Sequence, residues 1–211
     1  KKQKLKKHNA LQPKKRSKKC GSALSQKTAA SKQLLEAHKG GKRSDSNTSD
    51  QVEGLYNRGL SALQQGLMDE GLAYFERILL GCPDHVPALI NAGLSLWQLG
   101  RLEEAEKRLT RALSCNPRAW QALHNLGCVL KDQGRPAAAE SKFRQAIRIQ
   151  PDCPETYNNL GAVLEEQERF AEAESCMRRA IELRSAYFEA LQSLGHILKK
   201  QGHLTEAVAA Y

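Results

Sequence analysis

The chain is poor in most of the features that catalysis and membrane insertion require. Aromatic residues make up only 5% of its 211 residues. No apolar run approaches the ~20 residues that span a bilayer. The charged N-terminus, Lys1-Lys2-Gln3-Lys4, has no apolar core behind it, so no secretory leader is legible. Six cysteines (Cys20, Cys82, Cys115, Cys128, Cys153 and Cys176) form no Cys-x-x-Cys pair and keep no regular spacing. That pattern argues against a zinc site or a disulfide framework and suits a reducing, cytoplasmic setting. No phosphate loop or nucleotide fingerprint occurs, and no cofactor, metal or small-molecule substrate is indicated.

Charge is present but unevenly spread. Residues 1–50 hold 15 of the 33 lysines and arginines against three carboxylates, Glu36, Asp45 and Asp50. The remaining 161 residues carry 18 basic and 20 acidic side chains, so the net +10 belongs to the first segment alone. Its clusters Lys1–Lys7 and Pro13–Lys19 sit among Ser, Gly, Asn and Thr, a composition that predicts a disordered basic tail. Thr28 to His38 is a candidate transient helix ahead of Gly40-Gly41. Three roles for the tail stay open: a solubilising segment, a weak electrostatic contact with nucleic acid or an anionic membrane, and a nuclear localisation signal.

The rest of the chain repeats itself every 34 residues. Gly59, Gly93, Gly127, Gly161 and Gly195 stand in register, and seven residues after each come Gly66, Gly100, Gly134, Glu168 and Gly202. Gly71, Ala105, Ala139, Ala173 and Ala207 form a small-residue column. Phe75, Leu109, Phe143, Met177 and Tyr211 form a bulky one, and Pro83, Pro117 and Pro151 close the first three units. The small columns predict two antiparallel helices crossing closely. The second glycine predicts a left-handed stop after the first helix of each pair, and the proline a turn after the second. Apolar residues at helical spacing, such as Leu123, Leu126 and Leu130, fill the face between.

These columns resemble the tetratricopeptide repeat family. The resemblance covers residues 52–211 and implies an all-α fold, a right-handed α-solenoid of antiparallel helix pairs. Units fall at 52–85, 86–119, 120–153, 154–187 and a partial fifth at 188–211. The first is the least regular, as expected of a terminal repeat. The fifth breaks off inside a helix, so the natural protein is expected to continue.

Family resemblance also implies a concave groove lined by the first helix of each pair. The residue two before each first glycine faces it: Asn57, Asn91, Asn125, Asn159 and then Ser193. Asparagine is a mediocre helix former, and its amide offers the donor and acceptor that an extended peptide backbone needs. The ladder is similar to those in the repeat arms of O-linked N-acetylglucosamine transferases and in kinesin light chains. Neighbouring Asn158 and Gln192 share the expected binding face, and so does His124. An alternative reading has the amides bonding to adjacent helices. Glu53, Pro87, Gln121, Glu155 and Glu189 stand where a carboxylate-gripping groove would need cations, which argues against that mode.

His124 and Cys128 lie four apart on one helical face, yet no third group in sequence register orients the imidazole. They are read as groove-lining residues and not as a catalytic pair. Trp97 and Trp120 are expected to pack near unit junctions. The expected function is a scaffold that binds an extended peptide or helix of a protein partner. The rival is a substrate-recruiting arm of a larger glycosyltransferase whose catalytic domain lies beyond residue 211, suggested by the run Tyr157-Asn158-Asn159-Leu160-Gly161.

Overall fold

The structure is a computed structural model that describes residues 46–210, with side chains from 49 to 207. The expectations for the basic clusters and for Thr28–His38 lie outside the described residues. Ten helices occur among the described residues, with no strand. They are α1 Ser46–Gln64, α2 Met68–Gly81, α3 Val86–Gln98, α4 Leu102–Cys115 and α5 Trp120–Asp132. After them come α6 Pro136–Ile149, α7 Pro154–Glu166, α8 Phe170–Leu183, α9 Phe188–Lys200 and α10 Leu204–Ala210. Each consecutive pair packs together, and each pair packs on the next.

The register columns become contacts. A Cβ built on Gly59 would lie 2.6 Å from Phe75, on Gly93 2.6 Å from Leu109, on Gly127 2.6 Å from Phe143 and on Gly161 2.7 Å from Met177. Each glycine is therefore the slot that receives the bulky residue of its partner helix. Phe75, Leu109, Phe143 and Met177 are all fully buried. Ala105, Ala139 and Ala173 are fully buried at the same crossings.

Helix ends follow the second glycine column. Gly66, Gly100, Gly134 and Gly202 have φ of 79°, 80°, 73° and 85°. Glu168 takes the same left-handed conformation at φ 59° without being glycine. The chain keeps the turn there because the flanking helices dictate it, at a cost of about 1–2 kcal/mol for a residue with a Cβ.

One boundary differs from the sequence reading. α1 begins at Ser46, inside the segment expected to be disordered up to Asp50. Once Val52, Leu55 and Tyr56 pack on the core, each further residue extends the helix by one hydrogen bond at little cost.

The odd-numbered helices touch one another along the array, α3 to α5, α5 to α7 and α7 to α9. The even-numbered helices meet one another more sparsely. The odd helices therefore form the tighter, inner layer and the even helices the outer one. Arginine–glutamate pairs tie outer helices across units: Arg108–Glu76 at 2.9 Å, Arg135–Glu106 at 2.9 Å, Arg169–Glu140 at 2.8 Å and Arg178–Glu206 at 3.1 Å.

Candidate partner-binding face

The amide ladder runs along the inner helices, but its members differ in what surrounds them. Asn57 on α1 is exposed. Asn91 on α3 is half-buried and donates from Nδ2 to the Tyr56 hydroxyl at 2.8 Å and to the Pro87 carbonyl at 3.0 Å. Asn159 on α7 donates to Cys128 Sγ at 3.5 Å. Asn125 on α5 is only 5% exposed, and its Nδ2 has no partner among the described residues. Ser193 on α9 is half-buried, Gln192 is exposed, and Asn158 is half-buried with an unpartnered, buried Oδ1.

Register explains the difference. Asn91 reaches a residue 35 earlier, Tyr56, and Asn159 reaches one 31 earlier, Cys128. The corresponding neighbours of Asn125 are Ile90 and Leu94, which have no polar atom to offer. The same ladder position is tied down or left unpaired according to the side chain on the preceding inner helix.

His124 is buried at 5% exposure. Its Nδ1 lies 2.9 Å from Thr156 Oγ1 on α7, and its Nε2 lies 3.7 Å from Cys128 Sγ. The third group that the sequence did not show is Thr156, 32 residues away in the next unit. Cys128 is 1% exposed, so Thr156, His124, Cys128 and Asn159 form an interior polar chain joining α5 to α7. Such a chain rigidifies the junction when its members are paired.

Further along the inner helices a second inter-unit ladder appears. Trp97 Nε1 donates to Asp132 Oδ2 at 2.7 Å, so this indole bridges units as well as packing. Two steps of the array on, Glu165 stands 3.3 Å from Lys200 Nζ and 2.9 Å from His196 Nδ1. Lys131 and Glu166, of opposite charge, occupy the register position between those two pairs. The inner face thus carries charges of both signs.

Glu155, one of the acidic residues of the carboxylate-grip position, is buried beneath Arg184, whose Nη2 donates to its Oε1. Burial alone would raise the pKa of Glu155, but the Arg184 hydrogen bond and charge hold it below its ordinary 4.5. Arg184 also stacks on the Tyr187 ring at 4.9 Å. This pairing removes Glu155 from the groove and fastens α7 to the end of α8. Among the described residues no group of three or more His, Cys, Asp or Glu gathers as a metal site. No helix among them is long and apolar enough to cross a membrane.

Stacked helix pairs with glycine slots and a polar inner face define an all-α, right-handed solenoid of the repeat type. The chain belongs to the tetratricopeptide repeat family: models of that repeat match residues 50–118, 90–154, 124–188 and 158–211. Similar solved structures include pilF of Pseudomonas aeruginosa, 20% identical with a TM-score of 0.71, covering 77% of this chain and 74% of that one. A MamA fragment from Desulfovibrio magneticus RS-1 is 20% identical with a TM-score of 0.67 over 76% of this chain and 91% of its own. The thermophilic tetratricopeptide protein TTC0263 of Thermus thermophilus is 22% identical with a TM-score of 0.65, over 76% and 88%. No curated protein matches the sequence.

Proposed function

We propose that the protein is an interaction scaffold whose concave inner face captures a segment of a partner protein, either an extended peptide or a helix. The observation that carries this reading is the row of amide and hydroxyl side chains, Asn57, Asn91, Asn125, Asn159 and Ser193, repeated on successive inner helices that touch one another. Such side chains meet main-chain groups of either polarity. The mixed charges beside the row favour no strongly acidic or basic partner. Replacing Asn57, Asn125 and Asn159 together by Ala is expected to weaken partner binding while far-UV circular dichroism stays that of the parent. Unchanged binding in the folded triple variant refutes the reading. A substrate-recruiting role within a larger glycosyltransferase rests on one feature, the run Tyr157-Asn158-Asn159-Leu160-Gly161.

A further inference from the structure

The 34-residue spacing also builds a clamp between units on the outer layer. At the junction of the second and third units Arg135 Nη1 donates to Glu106 at 2.9 Å and to Gln133 Oε1 at 3.0 Å, while Gln133 Nε2 donates to Glu106 at 2.9 Å. At the next junction Arg169 Nη1 donates to Glu140 at 2.8 Å and to Gln167 Oε1 at 3.0 Å. Each clamp ties the turn before one outer helix to the outer helix of the preceding unit. The first junction has Leu72 in the carboxylate position, and its Arg101 turns to Glu104 on its own helix at 2.7 Å instead. The junction of the fourth and fifth units has Glu174, Gln201 and His203 in the clamp positions. Its backbone repeats the clamped geometry: His203 N–H donates to the Leu198 carbonyl at 2.9 Å and Ala207 N–H to the His203 carbonyl at 3.0 Å, as Arg169 does with Leu164 at 2.9 Å and Ala173 with Arg169 at 3.0 Å. Glu174 is held by Arg178 on its own helix at 2.9 Å, as Glu140 is by Arg144 at 3.0 Å. Glu140 also binds a cation of the following unit, and among the described residues Glu174 does not.

An arginine keeps its charge throughout the physiological range, whereas an imidazole gains one only in mild acid. We propose that His203 is an acid-operated form of the clamp. Protonated, it closes on Glu174 and docks the fifth unit on the fourth; neutral, it lets that junction loosen. The charged groups on the elements around it are Glu174 and Arg178 on α8, Glu165 on α7, Lys199 and Lys200 at the end of α9, and Glu206 on α10. Lys200 is turned to Glu165 at 3.3 Å, and Arg178 spans Glu174 and Glu206, the latter at 3.1 Å. Glu206, three residues after His203, is the rival partner, as Glu172 is for Arg169. The two carboxylates favour the charged imidazole, and Arg178 and Lys199 oppose it. A group that gains a partner on taking up a proton stabilises the fold in acid, and that stability is lost as pH rises through the neutral range. The clamp also fails where carboxylates themselves take up protons, below about pH 4.5. The device acts on the docking of the last helix pair and does not depend on which face meets a partner.

The test is amide hydrogen exchange followed by NMR on the chain with residues 1–211, each rate divided by the intrinsic rate at the same pH. The Ala207 amide reports on the fifth unit, and the Ala173 amide, in the same register position and bonded to Arg169, is the control. An exposed ion pair shifts an opening equilibrium about two- to fivefold. Protection of Ala207 is therefore expected to be about two- to fivefold higher at about pH 5.5 than at about pH 7.5, with Ala173 unchanged. His203→Arg is expected to hold the acid value at both pH values. Glu174→Gln is expected to remove the pH dependence, and Glu206→Gln to keep it. Protection of Ala207 that ignores pH, a dependence that survives Glu174→Gln, or an equal dependence at Ala173 overturns the proposal. Loss of the dependence in Glu206→Gln alone also overturns it, because the histidine then acts only within α10.

Discussion

Two glycines at the same register position should respond differently to one added methyl group. At Gly127 a Cβ would meet Phe143 at Cε1, Cδ1 and Cζ, at 2.6, 2.8 and 2.8 Å. That ring is fully buried and flat, so it cannot yield without displacing its neighbours. At Gly161 the nearest atom is the terminal methyl of Met177, Cε at 2.7 Å, followed by the Ala173 carbonyl at 3.2 Å and Cys176 Cβ at 3.3 Å. A methionine end can swing aside through its torsions. Overpacking costs about 1–3 kcal/mol, and Ala gains about 1 kcal/mol over Gly inside a helix. Placing the rigid contact at the upper end and the flexible one at the lower, Gly127→Ala should lose about 2 kcal/mol and Gly161→Ala close to none. For a chain of this size the first loss lowers Tm by about 4–8 °C. Thermal melts by circular dichroism measure both, and Phe143→Met added to Gly127→Ala should recover much of the loss. Equal melting of the two single variants, or a rise for Gly127→Ala, refutes the slot-and-knob account of the helix crossings.

Acid should loosen the α7–α8 connection through Glu155. Its pKa is held below 4.5, so the stability it contributes is present above that pH and fades as pH falls through the folded value. Arg184→Met should cost about 1–3 kcal/mol at neutral pH, and the deficit should shrink below pH 4.5 in urea titrations; a deficit constant with pH contradicts the pairing. Among the thiols, burial pushes Cys176 up to about 11. Iodoacetamide labelling followed by mass spectrometry should find it slow at pH 8 and accelerating steeply toward pH 11, and a fast reaction at neutral pH would mean the site opens.

The solenoid was legible because each column is a local demand. A slot needs glycine, a left-handed turn prefers it, and a bulky residue must fall in the slot, all at a fixed spacing. Glu168 shows the limit, since it occupies the glycine position and the turn survives. The binding face was less legible. Asn91, Asn125 and Asn159 share one register position, yet one donates to Tyr56, one leaves its Nδ2 without a partner among the described residues and one donates to Cys128. That outcome depends on residues 31 to 35 positions earlier, brought close only by stacking. His124 was unreadable for the same reason, because Thr156 reaches it from the following unit. The start of α1 at Ser46 escaped notice because Ser, Asn and Thr read as a tail until the packed helix behind them is known.

The inner-face claim is tested most directly by site-specific photo-crosslinking of the bound partner segment. A photoreactive phenylalanine analogue placed at Asn57 or Gln192, both exposed on inner helices, should capture the partner. The same analogue at Leu80 on α2 or Ser141 on α6, both exposed on outer helices, should not. Capture from the outer positions with none from the inner ones would place the partner on the convex side and contradict the account.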